Sequence, residues 1–427
     1  MTALLPHILV IHRWRDHHAR YEDYIDHRTH HVTYVTTGLG RESVPAAAAG
    51  TVTVRATDDP AEVSAAADTL AVRFGAPARV VALNEGDLET AADLRTRLGC
   101  PGQDPAGLAP FRDKLVMVRA VAAAGLRTPE SADAPDPAAV KEFAQTHGWP
   151  LIVKPRRGTA SRGVLRLDSP DDLPALEGLE PEDRIVQTYC GDPIYHVDGL
   201  WTGEALGPWR ASRYVNTCAG FGAGTALGSV EEDDPELLGP IGEFTAAAAE
   251  ALGGRQPWVF HLEVFAGPAD GGAGAVRVTF LEAGWRVGGA EIPFVWREVH
   301  GVDLMAAAAA VQLGRAPRLP EPAPRPGGRV GGWLLVSSPV PAPCTVTAVH
   351  GADRAEALAY AQVVPEPGYA MPRIGGYEHV GARFRFRGAS TAEVRDAVTA
   401  TAAAVRLECV PDRDGEPRSR AACGLDR

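Results

Sequence analysis

The chain is predicted to combine an α/β amino-terminal unit with α+β units behind it, and three features of the sequence predict this. Short apolar strands alternate with helical segments over residues 7–99, the rhythm of a parallel sheet flanked by helices. Beyond residue 150, strands follow one another with loops between them. A proline-dense run, Arg315 to Gly328, then marks an extended spacer before the last stretch. At 427 residues the chain has room for two or three domains with proper cores. The divisions fall at 1–106, 107–318 and 319–427.

In the first unit, His7–His12, His31–Thr36, Thr51–Arg55 and Arg79–Leu83 read as strands, and Asp16–Asp26 as a polar helical segment. A helix follows Asn84-Glu85-Gly86 and runs to Leu98, with Gly99 as its stop. Ligands of parallel sheets gather at the strand carboxyl ends. Glu85 occupies such an end and is a candidate substrate contact, against the plainer reading of an acid at a helix start. Histidines 7, 12, 17, 18, 27, 30 and 31 crowd this unit, seven of thirteen in the chain. None has the spacing of HExxH or a comparable metal motif. They are expected on a solvated polar face, with room for one or two in a substrate pocket.

The second unit opens with a helix over Phe111–Gly125, followed by another over Pro137–Thr146. Leu151–Pro155 is a strand ending in Lys154, and behind it runs Arg156-Arg-Gly-Thr-Ala-Ser-Arg-Gly-Val164. That loop offers Gly158, Thr159, Ser161 and Gly163, two hydroxyls and several backbone N–H groups beside one lysine. Together they make an anion cradle, with a triphosphate as the natural guest. The Walker pattern GxxxxGK[ST] is absent, and no GxGxxG opens a helix after an early strand. Further strands are expected at Arg184–Cys190, at Tyr195–Asp198, near Trp201 and at Ser212–Val215.

Two apolar runs then each hold one carboxylate: Phe260–Phe265 with Glu263, and Phe280–Arg286 with Glu282. If they pair with Glu263 opposite Glu282, residues 268–277 connect them and the two Cβ atoms stand roughly 5 Å apart. Like charges at that spacing need a cation between them, either Arg286 or a divalent metal. Nucleotide phosphates need both a cationic cradle and Mg²⁺ held by carboxylates, so the pair and the loop explain each other. A helix near Met305–Leu313 closes the unit. The third unit begins with a strand at Gly332–Val336 and includes a helix over Ser390–Val405, with a polar tail from Pro411.

Composition narrows the classes. A formal charge of −12 argues against nucleic acid or an anionic membrane as the main partner. Cys100, Cys190, Cys218, Cys344, Cys409 and Cys423 are widely spaced with no CxxC, which suits free thiols in a reducing compartment. The amino terminus lacks the basic start and apolar core of a signal peptide, and no stretch of about 20 apolar residues exists. A soluble cytoplasmic protein is the expectation. A homodimer is left open.

The order Lys114 in a helix, Lys154-Pro155, the Gly/Ser loop, Gln187-Thr-Tyr-Cys190, then Glu263, Glu282 and Arg286 resembles the ATP-grasp superfamily. Glu282-Ala-Gly-Trp-Arg-Val-Gly-Gly289 resembles most the branch of L-amino acid ligases and carnosine synthase. The resemblance covers residues 80–320 well and the two ends more loosely. It implies an ATP-grasp fold with a Rossmann-like preceding domain and a small α+β domain at the end. It also implies roles. Lys114 and Lys154 would hold the α- and β-phosphates, with residues Thr159 to Gly163 closing over them. Gln187, Tyr189 and Cys190 would form the hinge beneath adenine, the backbone of Tyr189 and Cys190 reading its edge. Glu263 and Glu282 would bind Mg²⁺, with Mn²⁺ able to replace it. Arg286 would stabilise the transferred phosphoryl group and the tetrahedral intermediate.

Two positions depart from the family pattern. Gln187 stands where glutamate is common, so an amide oxygen must receive the adenine amino group. Gly284 stands where many members have Asn, which removes a third metal ligand. The activity implied is an ATP-dependent carboxylate–amine ligase acting on a small carboxylate and an amine. An ATP-dependent carboxylase or other phosphorylating enzyme of the same fold, and an ATP-binding protein without catalysis, are the alternatives. A biotin-dependent carboxylase usually acts beside a carrier domain with a Met-Lys-like lysine, and none is present. Arginines in the stretch 210–224 are candidates for receiving a substrate carboxylate.

Overall fold

The four strands expected in the first unit form one parallel sheet of order β3-β2-β1-β4, where β1 is His7–His12, β2 His31–Thr36, β3 Gly50–Thr53 and β4 Arg79–Ala82. The computed structural model describes residues 5–159, 161–177, 179, 182–216, 220–221, 224–269, 275–317, 329–355, 357–372 and 380–412. Most of the proline-dense run, the tail beyond Asp412, Cys218, Cys423, and parts of 210–224 and 268–277 lie outside the described residues.

Two helices flank this sheet. Helix α1 (Pro60–Phe74), which the pattern reading does not anticipate, is capped by the Asp59 side chain, with Pro60 in its first turn. Helix α2 (Leu88–Leu98) stops at Gly99, whose φ of 67° needs no Cβ to avoid. The polar helix expected over Asp16–Asp26 is not there. Only one turn forms, Tyr21–Tyr24, because Trp14, His18, Tyr21 and Ile25 all turn inward to the core. The histidine expectation fails for the same reason at three of the seven positions. His7, His12 and His18 are buried and hydrogen-bonded to Thr33, Ser43 and Asp16.

Helix α3 (Lys114–Ala123) begins at Lys114 because Asp113 caps it, accepting from the N–H groups of Leu115 at 3.0 Å and Val116 at 3.3 Å. The same carboxylate receives Arg156 at 3.0 and 2.6 Å, which ties the loop behind Lys154 to the helix start. Asp113→Ala should therefore cost roughly 1–2 kcal/mol from the cap alone. It should also lower the urea midpoint of unfolding; an unchanged midpoint would refute this anchoring.

A four-stranded antiparallel sheet, order β5-β8-β6-β7, comprises β5 (Ser131–Asp133), β6 (Leu151–Pro155), β7 (Leu165–Leu167) and β8 (Arg184–Thr188). Helix α4 (Pro137–His147) buries Val140 and Phe143 against it.

The largest sheet has eight antiparallel strands, order β13-β12-β9-β10-β11-β14-β18-β16. Its members are β9 (Ile194–Trp201), β10 (Leu206–Tyr214), β11 (Leu227–Glu231), β12 (Trp258–Pro268), β13 (Val276–Gly284), β14 (Val330–Val336), β16 (Ala361–Val363) and β18 (Ala382–Gly388). The strands expected at Tyr195–Asp198 and near Trp201 are one. Residues on either side of 318–328 thus share a sheet, while β15 (Cys344–His350), β17 (Ala370–Met371) and β19 (Arg406–Pro411) form a separate one.

Side chains alternate between the two faces of a strand, and β12 shows the consequence. Trp258, Phe260, Leu262 and Val264 pack with α3 and a further helix, α5 (Pro235–Gly253), in one core. Val259 packs in another core with α6 (Ile292–His300), α7 (Leu304–Gln312) and the amino-terminal sheet. His261 and Glu263 lie in register on this second face. Phe111 meets Trp258 and Trp285 edge-on and the two indoles are tilted, at ring separations of 4.8–5.6 Å, which fixes the chain just beyond Glu282. Helix α8 (Thr391–Ala404), expected over Ser390–Val405, covers β14 and β18.

Candidate active site

Strands β12 and β13 pair with Glu263 directly opposite Glu282, the register on which the carboxylate argument rests, and a bulge follows at once on β13. The cation beside them is not the one expected. The chain has three lysines, and two converge here: Lys114 Nζ stands 3.4 Å from Glu282 Oε2, and the buried Lys154 interacts with the same carboxylate. Arg286 lines the same cavity but pairs with Glu85, its Nε donating to Oε2 at 2.6 Å, while Arg112 takes the other oxygen of Glu85. Glu85 is therefore neither a mere helix-start acid nor an open substrate contact; it fixes the guanidinium of Arg286.

The electrostatics follow from this crowding. Burial pushes Lys154 down to about 8, with Glu282 opposing the shift and Lys114 adding to it. Burial would raise Glu282, but Lys114 and Lys154 outweigh it and hold the carboxylate below its usual range. Glu85 is likewise held low against burial by Arg286 and Arg112. The site thus sets two lysines on one carboxylate, with Lys154 buried and the Glu282 side chain still 33% exposed.

Lys114 Nζ also donates to the Gly158 carbonyl at 3.0 Å, joining α3 to the Gly/Ser loop. Ser161 (φ 55°) and Gly163 (φ 69°) turn that loop back, and Ser161 lines a cavity with Glu263 and Glu282. Arg162 donates to the Thr159 hydroxyl at 3.2 Å. Ala160 lies outside the described residues.

The hinge candidates sit at the end of β8. Gln187 is buried and its Nε2 donates to Ser131 Oγ at 2.9 Å, so its amide nitrogen is engaged. The Tyr189 N–H donates to the Pro150 carbonyl at 3.2 Å, leaving only the carbonyl of that residue to read a base. The Arg166 guanidinium lies 4.2 Å over the Tyr189 ring. Burial pushes the Cys190 thiol up, consistent with an inert side chain. Tyr189 and Cys190 line a cavity of about 760 Å³ with Arg127, Asp192 and Arg277. Lys114, Lys154, Glu263 and Glu282 lie outside its walls; the small cavity beside Glu263, Glu282 and Arg286 is about 60 Å³.

Two groups here escape the motif reading. Tyr214 of β10 donates to Glu263 Oε1 at 2.8 Å. Beside it, Asp198 lies between two histidine rings, 2.6 Å from His196 Nδ1 and 2.9 Å from His261 Nδ1, and His196 Nε2 meets Ser229 Oγ at 2.6 Å. Burial lowers His261, but Asp198 outweighs it and raises the imidazole to about 9. A Cβ at Gly288 would stand 2.4 Å from Asp198 Oδ1, so only glycine fits there. The period-two spacing of His196 and Asp198, and of His261 and Glu263, was the available signal.

The order of sheets and the cleft between them define an ATP-grasp fold. No family model matches the chain. Over 95% of its length it superposes on 99% of an L-amino acid ligase from Bacillus licheniformis, with a TM-score of 0.72 at 18% identity. An ADP complex of N5-carboxyaminoimidazole synthetase from Staphylococcus aureus matches 93% of the chain and 97% of its own, with a TM-score of 0.65 at 10% identity. In sequence, 75 residues are 39% identical to a D-alanine–D-alanine ligase of Streptomyces griseus, a match spanning 17% of each protein. The resemblance read from the motifs holds at the level of the fold. Among the described residues, no helix is long and apolar enough to cross a membrane.

Proposed function

We propose that this chain is an ATP-dependent carboxylate–amine ligase working through an acyl phosphate. The observation that carries the reading is the convergence of Lys114 and the buried Lys154 on Glu282, opposite Glu263. A pure nucleotide binder has little use for that set. Similar proteins support the same class: a fold neighbour and a partial sequence match are ligases of amino acids by name, and another fold neighbour carries ADP.

The chemistry follows from the charges. A carboxylate oxygen of the acid attacks the γ-phosphorus of ATP, the bond to the β-phosphate oxygen breaks, and ADP leaves. An amine then attacks the acyl carbon, phosphate departs with the electron pair of the broken C–O bond, and the proton lost by the amine goes to the departing phosphate. Lys154 and Lys114 offset the approach of one anion to another, and desolvation strengthens both. Arg286, held in place by Glu85, faces the oxygens that gain charge. The loop from Gly158 to Gly163 excludes water, which would otherwise hydrolyse the acyl phosphate.

The metal fits these residues. Glu263 and Glu282 offer the oxygen ligands Mg²⁺ prefers, and Tyr214 and His261 stand beside Glu263 to hold it in place. When bound, Mg²⁺ or Mn²⁺ supplies neutralising charge for the phosphate oxygens. Gln187, Tyr189 and Cys190 are proposed for the adenine side, and division at 106 and 318 for the domains.

Hydroxylamine traps acyl phosphates as hydroxamates, so the amine substrate need not be known. Protein incubated with ATP, Mg²⁺, hydroxylamine and pools of carboxylic acids should release ADP and form hydroxamate only when an acid is present. ATP bound but never cleaved under any pool would sink the ligase reading in favour of a sensor or scaffold.

A further inference from the structure

Arg286 arrives beside Glu263 and Glu282 with much of its guanidinium already engaged. Its Nε donates to Glu85 at 2.6 Å and its Nη1 to the Val287 carbonyl at 3.0 Å. Among the described residues, Nη2 alone is left without a hydrogen bond to protein. A carboxylate that pairs with a single guanidinium cancels its charge. A cancelled arginine does little for phosphate oxygens that gain charge in a transition state.

Arg112 changes that balance. It stands two residues before Lys114, is 8% exposed, and gives its Nη1 to Oε1 of Glu85, the oxygen that Arg286 does not use. Its Nη2 lies 3.4 Å from Glu89 Oε2 at the start of α2. The other oxygen of Glu89 receives Arg157 of the Gly/Ser loop at 2.8 Å. Arg286, Glu85, Arg112, Glu89 and Arg157 thus alternate in a row. The outer pair, Glu89 with Arg157, is exposed and screened by solvent. The inner three are mostly buried and carry one more cation than anion. The Arg112 Nε is buried with no hydrogen-bond partner, and buried charges held at such a desolvation cost are weak support for a fold.

Resting on the ligase reading above, we propose that Arg112 is a positioning residue of the reaction: by sharing Glu85 with Arg286, it leaves Arg286 a positive charge to place on the transferred phosphoryl oxygens. Glu85 then orients Arg286 without neutralising it. With Arg112 gone, the carboxylate would hold the same orientation and cancel the charge, a difference that grows where water is scarce. Lys114 and Lys154 carry the nucleotide, so Arg112 acts on turnover and not on nucleotide affinity.

The test is a charge-compensation cycle read by hydroxamate formation with saturating ATP, Mg²⁺, excess hydroxylamine and an equimolar pool of the standard amino acids. Arg112→Met should lower turnover by on the order of 10- to 100-fold, less than the roughly 10²- to 10³-fold that losing a donor outright commands. Its Kd for ATP, measured by calorimetry without metal, should stay close to that of the wild type. Glu85 keeps Arg286 and Glu89 keeps Arg157 in this variant, so no anion is orphaned. Arg112→Gln removes the same charge and serves if the Met variant does not fold. Adding Glu85→Gln removes the cancelling charge, while its amide oxygen can still receive the Arg286 Nε. The double variant should therefore turn over at least about tenfold faster than Arg112→Met, a coupling that such a cycle isolates. A merely structural role predicts the reverse, because the second substitution takes away one more ionic partner. A double variant no faster than Arg112→Met, or Arg112→Met at the wild-type rate, overturns the proposal. No hydroxamate from the wild type would overturn the ligase reading, and this inference with it.

Discussion

Glu282→Gln should lower ATP turnover by roughly 10³-fold, because losing one anionic metal ligand removes several kcal/mol of charge stabilisation. The substitution keeps the side chain's shape while freeing Lys114 and Lys154 from their carboxylate. Two uncompensated cations then face each other, and a triphosphate can satisfy them. ATP binding measured in EDTA should therefore be kept or tightened, even as turnover is lost. Turnover at the wild-type rate would refute the metal assignment. Loss of metal-free ATP binding together with turnover would show that Glu282 merely supports the fold.

Lys154→Met should have the second large effect, about 10²- to 10³-fold on kcat/KM for ATP, the scale of losing one charged donor in a desolvated site. Its stability signature runs the other way. Burial lowers the Lys154 pKa from the ordinary 10.5 to about 8 in the folded state. A depressed base favours the folded state above its unfolded pKa and loses that contribution as pH falls through about 8. At neutral pH, then, the buried ammonium opposes folding of the nucleotide-free protein, and Met relieves it. Urea unfolding should find Lys154→Met at least as stable as wild type at pH 7, with the advantage shrinking as pH rises towards the unfolded pKa. A clear loss of stability at pH 7 would mean the ammonium serves as a structural partner for Glu282.

The strands were the most legible part of the sequence. β1, β2, β6 and β14 are dense in Val, Ile and Leu between polar breaks, and β12 and β13 could be aligned because each holds one carboxylate among apolar residues. Helices α1, α5 and α6 were not legible. α5 is built from Ala and Gly with Pro240 inside it, so its apolar stripe is blurred. The histidines misled because burial follows from partners distant in sequence: His18 is held in part by Ala290, and His7 by Thr33. In the site, residue types within one motif were readable, whereas pairings across units were not. Arg286 lies four residues after Glu282, yet its partner is Glu85, 201 residues away.

The central claim is that the acid's own oxygen attacks ATP. Acids carrying a heavy oxygen isotope in the carboxylate, supplied as a pool with ATP, Mg²⁺ and an amine, test this directly by mass spectrometry of the released phosphate. An acyl phosphate route transfers one labelled oxygen from the acid to phosphate for each amide formed. Phosphate that carries no label while ADP accumulates would mean that water attacks ATP, and would contradict the account.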